Sequence, residues 1–193
     1  MRIAIDGDQV LFDFDGAWRK IAEDVLGRPM PPPKRSYHLI ARYSLTMSEY
    51  HEVWAGFNAI GMWRRCPAIP QSMETVRMWR DHGCEVVVVS ALDACFHADR
   101  RSCMDALGLE DVPLITVGGG GSKYPALKSL QPALYVDDLW RHCREALEAG
   151  VQTVYRIHGG HDGDGAKIAG VMEVDSLEEV RHDRFDRVFA AAR

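Results

Sequence analysis

Apolar positions fall into two patterns along this chain: short unbroken runs and runs at helical spacing. Arg2-Ile3-Ala4-Ile5 is a short run ending at Asp6, fit for a buried strand. From Ala17 to Leu26 the spacing turns helical, with Trp18, Ile21, Ala22 and Val25 on one face and Gly27 as the stop. Pro29 and Pro31-Pro32-Pro33 cannot sit in a helix interior and mark a linker. Residues 36 to 65 read as one or two short helices rich in aromatics, among them Tyr37, Tyr43, Tyr50, Trp54, Phe57 and Trp63. A second linker, Cys66 to Pro70, leads to Ser72 as the expected N-cap of a helix through Met73, Val76 and Trp79 that stops near Gly83.

The Val86-Val87-Val88-Val89-Ser90 run is the strongest strand. Successive β-branched residues without alternation predict burial on both faces, as in a parallel sheet. A helix around 96–107 follows, then a strand at Leu114 to Val117 and a short helix from Pro125 to Leu130. Ala133 to Val136 is a strand stopping at Asp137-Asp138, followed by a helix over 139–149 and a strand from Val151 to Ile157. Residues 158–169 read as a loop, and Val171 to Val174 with a helix from Ser176 close the chain. Strands alternating with helices predict an α/β fold with a doubly wound parallel sheet. Residues 15–66 interrupt the alternation and are expected to form a small helical cap inserted after the first strand, over the sheet's edge. The core would then comprise residues 1–14 and 67–193.

At 193 residues, 47% hydrophobic and 26% charged, the chain suits one domain that buries roughly two thirds of its unfolded surface. A net charge of -5 with interleaved signs gives no basic footprint for duplex nucleic acid. No stretch approaches the ~20 apolar residues that span a bilayer, so no membrane role is expected. The five cysteines are odd in number, scattered and without a C-x-x-C pair, which favours reduced thiols and a cytoplasmic location.

In an open parallel sheet, ligands bind beyond the carboxyl ends of the strands. Those ends carry Asp6 and Asp8, then Ser90, then Asp137 and Asp138, with Lys123 and Lys128 just ahead of the last pair. Clustered carboxylates repel each other unless a cation holds them, and an all-oxygen donor set suits magnesium.

The set resembles the haloacid dehalogenase-like (HAD) phosphohydrolase superfamily. Its four ordered motifs stand here as IAIDGDQVLFDF, VVVVSA, GSKYPALKSL and ALYVDD, and the resemblance covers roughly residues 1 to 157. Asp13-Phe14 and the segment Gly61 to Trp79 (GMWRRCPAIPQSMETVRMW) are similar, more narrowly, to the 5'(3')-deoxyribonucleotidase branch. The resemblance implies a Rossmann-like core and a magnesium-dependent phosphatase acting on a small phosphorylated substrate, with a nucleoside monophosphate leading. Asp6 would attack phosphorus, and Asp8 would protonate the leaving oxygen and then activate water. Magnesium would be held by Asp6, the backbone carbonyl of Asp8 and Asp138, with Asp137 supporting the metal or orienting the lysine. Ser90 and Lys123 would bind the remaining phosphoryl oxygens.

Some alternatives stay open. Asp13 and Asp15 form a rival D-x-D-G, although Ala17-Trp18 follow where a small β-branched residue and Leu are expected. Lys128 competes with Lys123. His158 and His161 invite a metal role, but a solvated turn is the simpler expectation. Phe57 and Trp63 are the candidates for stacking on a base. A phosphatase for another metabolite would share every core residue, and Gln9, where the family prefers Gly, raises the option of a catalytically silent binding protein.

Overall fold

The computed structural model describes residues 1–181. Its parallel strands are β1 (Arg2–Ile5), β2 (Glu85–Ser90), β3 (Leu114–Thr116), β4 (Leu134–Asp137), β5 (Thr153–Ile157) and β6 (Val171–Val174). They form one sheet in the order β3-β2-β1-β4-β5-β6. Ile3 and Ile5 lie beside Val86 and Val88 on one flank and beside Leu134 and Val136 on the other. From β1 the chain works outward through β2 and β3, then crosses to the opposite flank for β4, β5 and β6. That reversal opens a crevice at the carboxyl ends of β1 and β4.

The four valines of β2 explain why the sheet is covered on both sides. Val86 and Val88 join a cluster with Met73, Val76 and Trp79 of α4 (Pro70–Asp81) and Cys103 and Met104 of the helix His97–Ala106. Val87 and Val89 face the other way, toward Leu127 of the helix Tyr124–Leu130 and Trp140, Cys143 and Ala146 of the helix Trp140–Glu148. Fully burying each such valine is worth about 1.5–3 kcal/mol of transfer free energy, so the run specifies both helical layers at once. Chain order makes the last three helices α5, α6 and α7.

Between β1 and β2 lie α1 (Phe14–Leu26), α2 (Leu39–Tyr43) and α3 (Met47–Ala59). Gly27 ends α1 at φ +62°, a left-handed C-cap that favours glycine. Phe14, Trp54, Phe57 and Trp63 pack ring on ring; the Phe14 and Trp63 centroids lie 5.8 Å apart and their planes 14° from parallel. Trp63 also meets Phe96 at 5.5 Å, so this aromatic centre is continuous with one face of the sheet.

Helix α4 departs from the sequence expectation. It starts at Pro70, and Ser72 is buried in its first turn rather than capping it. Proline at the first helical position has a preset φ and no N–H of its own to leave unpaired, so the helix starts there and carries Ser72 into its first turn. The expected C-terminal helix is helical over 177–181 and otherwise lies outside the described residues. No described helix is long and apolar enough to cross a membrane. The five cysteines are free.

Helix α3 opens with a capping box, Thr46 accepting from the Glu49 amide while Glu49 accepts from the Thr46 amide. That backbone hydrogen bond, with Arg28, holds the Glu49 carboxyl at about 2, below its ordinary 4.5. A depressed carboxyl contributes stability that is present above the unfolded value and lost as pH falls through the folded one. Glu49→Gln should therefore show a smaller decline in urea midpoint than wild type between pH 4.5 and 2.

Candidate active site

The loop after β1 is built by backbone bonds. The Leu11 and Phe12 amides both donate to the Gly7 carbonyl at 2.9 Å, and the Gln9 amide donates to the Phe12 carbonyl at 2.8 Å. This winds Gln9 into the left-handed region at φ 62°. For a residue with a Cβ that conformation costs roughly 1–2 kcal/mol. The Gln9 side chain offsets it by two bonds: Oε1 accepts from the Asp15 amide at 2.9 Å, and Nε2 donates to the Gly159 carbonyl at 3.2 Å. Glutamine in place of glycine thus braces the loop against α1 and the 158–165 segment. Ser90 ends β2 beside this loop, its Oγ only 3.4 Å from where a Cβ on Gly7 would stand.

Lys123 caps α6 and is fully buried, while Lys128 is exposed further along the same helix. The Lys123 amide donates to Glu145 at 2.8 Å, and Nζ donates to Asp6 Oδ1 at 2.5 Å and Asp137 Oδ2 at 2.7 Å. Asp137 further accepts from the Tyr135 hydroxyl and from the Leu139 amide, so most of its lone pairs are committed to protein donors. The lysine is therefore oriented by Asp137.

One carboxylate oxygen from each of Asp6, Asp137 and Asp138 lies within 4.8 Å of the others. Burial lifts the Asp6 carboxyl well above its ordinary value against the pull of Lys123, and Asp137, Asp138 and Asp8 add to the rise. Asp138 is likewise raised, by burial and then by Asp137. Burial also opposes the Asp137 charge, but Lys123, His142 and the Tyr135 hydroxyl together outweigh it and the carboxyl stays below its ordinary range. One ammonium cannot neutralise three buried anions, so a hard divalent cation fits this all-oxygen donor set.

Asp8 stands apart from that trio. Its Oδ1 accepts from Arg100 Nη2 at 2.5 Å, and the buried guanidinium sits 4.1 Å over the Phe12 ring. Of the four acids considered for a metal, Asp6, Asp137 and Asp138 converge through their side chains, whereas the Asp8 carboxylate turns toward Arg100.

The rival acids are engaged elsewhere. Asp13 is exposed and caps α1 through the Gly16 amide at 3.0 Å. Asp15 receives Arg42 bidentately, both bonds 2.9 Å, and the Tyr43 hydroxyl at 2.9 Å.

The expectation of a solvated turn at His158 and His161 is corrected for His161. That ring is buried, with Nε2 3.0 Å from Asp138 Oδ2, and burial lowers its pKa to about 4, helped by Arg42 and Arg156. Nothing local in HGGHDGDG signals this burial. Arg100 does carry a sequence signal: with Cys103 and Met104 it shares the buried face of α5, an unusual place for a cation.

A cavity of about 390 Å³ joins these groups. Its lining includes the polar Asp6, Asp8, Ser90, Lys123 and Asp138 and the aromatic Phe14, Tyr50, Trp54 and Trp63, the last four packed on one another. Phe57 is fully buried and does not line the cavity, so only Trp63 of the two expected stacking residues does. Arg141 and His38 also line it.

No family model and no curated protein matches the chain. Solved structures do. A HAD family hydrolase from Deinococcus radiodurans with bound phosphate and sodium is 18% identical, with a TM-score of 0.63 over 94% of this chain and 93% of that one. A predicted phosphatase from Clostridium acetobutylicum is 16% identical, with a TM-score of 0.64 over 96% and 98%. A mutant CbbY from Rhodobacter sphaeroides in complex with xylulose-(1,5)bisphosphate is 14% identical, with a TM-score of 0.56 over 92% and 95%. The chain therefore has the Rossmann-like α/β fold of the HAD hydrolases.

Proposed function

We propose that the protein is a magnesium-dependent phosphatase that hydrolyses a small phosphate monoester through an aspartyl-phosphate intermediate on Asp6, with a nucleoside monophosphate as leading substrate. One observation carries this function: the buried Asp6 carboxylate, at the floor of a cavity, shares Lys123 with Asp137 and sits within 4.8 Å of two further acids. A carboxylate nucleophile that must approach an anionic phosphate needs positive charge beside it, from Lys123 and from the cation that the surplus of acids would bind. Asp6, Asp138 and the backbone carbonyl of Asp8 would hold magnesium. Once bound, the ion would screen the phosphate from Asp6 and stabilise charge on the phosphoryl oxygens.

The remaining roles follow from placement. Lys123 and Ser90 line the cavity and would take the other phosphoryl oxygens, Lys123 held ready by Asp137. Asp8, fixed by Arg100, faces the cavity as the group to protonate the leaving oxygen and then to deprotonate water. The wall of Phe14, Tyr50, Trp54 and Trp63 offers flat apolar area for a base, which supports the nucleotide and the deoxyribonucleotidase-like branch. Residues 15–66 would act as the cap that selects the substrate.

Hydrolysis of p-nitrophenyl phosphate should vanish in EDTA and return with magnesium. Nucleoside monophosphates should then outrank sugar phosphates in kcat/KM. Turnover that survives chelation would contradict the metal-dependent function, and a sugar phosphate ranked first would move the substrate class alone.

A further inference from the structure

We infer that His161 is a positioning residue for Asp138, fixing the carboxylate that would bind the metal. This rests on the metal-dependent function proposed above. The protonation pattern of the ring follows from its partners. Nδ1 accepts a hydrogen bond from the Gly163 amide at 3.0 Å and so carries no hydrogen, which leaves the proton of a neutral imidazole on Nε2. Nε2 lies 3.0 Å from Asp138 Oδ2 and donates to it. The bond occupies one oxygen of Asp138 and sets the plane of its carboxylate. Hydrogen bonds of this kind orient metal ligands and hold them in the geometry the ion requires.

The surrounding loop is shaped to deliver the ring. Gly160 and Gly163 take positive φ, at 74° and 84°, which folds residues 158–164 back beneath the strand ends. A Cβ on Gly159 would stand 3.2 Å from His161 Nε2, so a side chain there would crowd the imidazole. Arg156, buried on β5, ties ligand and positioning residue together: Nε donates to the Asp138 carbonyl at 2.9 Å and Nη2 to the His161 carbonyl at 3.0 Å.

The cap segment holds the same loop from the other side. Tyr37 sets its ring edge-on to His161 with centroids 5.5 Å apart. Arg42 donates to the Gly160 carbonyl at 2.9 Å, and the Asp162 amide donates to the Arg35 carbonyl at 2.9 Å. The orientation of Asp138 is in this way linked to the cap.

The test is direct Mn2+ binding to the purified chain, read from the electron paramagnetic resonance of free Mn2+ and so independent of turnover. His161→Phe keeps a ring in the niche but has no donor, and its Mn2+ affinity should fall by about 10- to 100-fold. His161→Gln, whose amide can donate from the Nε2 position, should stay much closer to wild type. A His161→Phe protein binding Mn2+ as tightly as wild type would overturn the inference alone. Equal losses in both variants would also overturn it, by showing that a donor at the Nε2 position does not restore the affinity. A wild-type chain that binds no Mn2+ would overturn the metal site itself.

Discussion

Asp6→Asn should lower magnesium-dependent turnover of p-nitrophenyl phosphate by roughly 10⁴-fold or more, the scale of losing a nucleophile that acts as part of a unit. Asparagine keeps the shape and the Oδ1 acceptor for Lys123 but removes the anion that would attack phosphorus. Folding should survive. Asp6 is a buried carboxylate whose charge is opposed by burial and by three neighbouring acids, so neutralising it relieves repulsion. Asp13→Asn is the matching control. Asp13 is exposed and only caps α1 through Gly16, a role asparagine fills as well, so activity should stay near wild type. A dead Asp13→Asn protein beside an active Asp6→Asn protein would transfer the nucleophile to the rival motif.

Lys123→Met should produce the largest loss of stability. The ammonium is fully buried and paired with Asp6 and Asp137, and removing one partner of a buried ion pair costs about 3–5 kcal/mol because the other charge is left uncompensated. That is a large part of the ~5–15 kcal/mol that holds a domain together. Burial opposes the lysine charge, but Asp137 and Asp6 outweigh it and hold its pKa above the ordinary 10.5. A raised pKa of this sign contributes stability that is fully present below the unfolded value, so the cost should appear throughout the neutral range. Urea unfolding in EDTA at pH 7 measures it. Adding Asp6→Asn to Lys123→Met should recover part of the loss, since one stranded carboxylate is removed. A Lys123→Met protein as stable as wild type would mean that the three acids do not depend on the lysine for compensation.

The sheet was legible because its signals are local. Val86 to Val89 can be buried on two faces only if helices cover both, and two helical layers do cover them. Asp6, Ser90 and Asp138 could be placed on one cavity because each ends or follows an apolar run whose carboxyl end is set by the parallel sheet, while Lys123 is placed by the motif resemblance at the start of a helix. Lys123 at the N-cap of α6 and Lys128 within it differ in depth, which packing decides and spacing does not.

The residues that went unread act across long distances in sequence. Arg100 reaches Asp8 over 92 positions and His161 reaches Asp138 over 23, and no local pattern marks either pairing. Gln9 looked like a departure that weakened the catalytic motif. At φ 62° its backbone does what the glycine would do, while its side chain adds two bonds that glycine cannot make. Ser72 is a good capping residue by type, but Pro70 two positions earlier starts the helix and puts it in the first turn.

The central claim is that phosphorus becomes bonded to Asp6 during turnover. Rapid acid quenching of the enzyme with magnesium and a phosphomonoester, followed by proteolysis and mass spectrometry, looks for that bond directly. One added phosphoryl group is expected on the N-terminal peptide at Asp6, present with magnesium and missing in EDTA and in Asp6→Asn. Steady magnesium-dependent turnover with the phosphoryl group found at Asp13, at Asp15 or on no aspartate at all would contradict it.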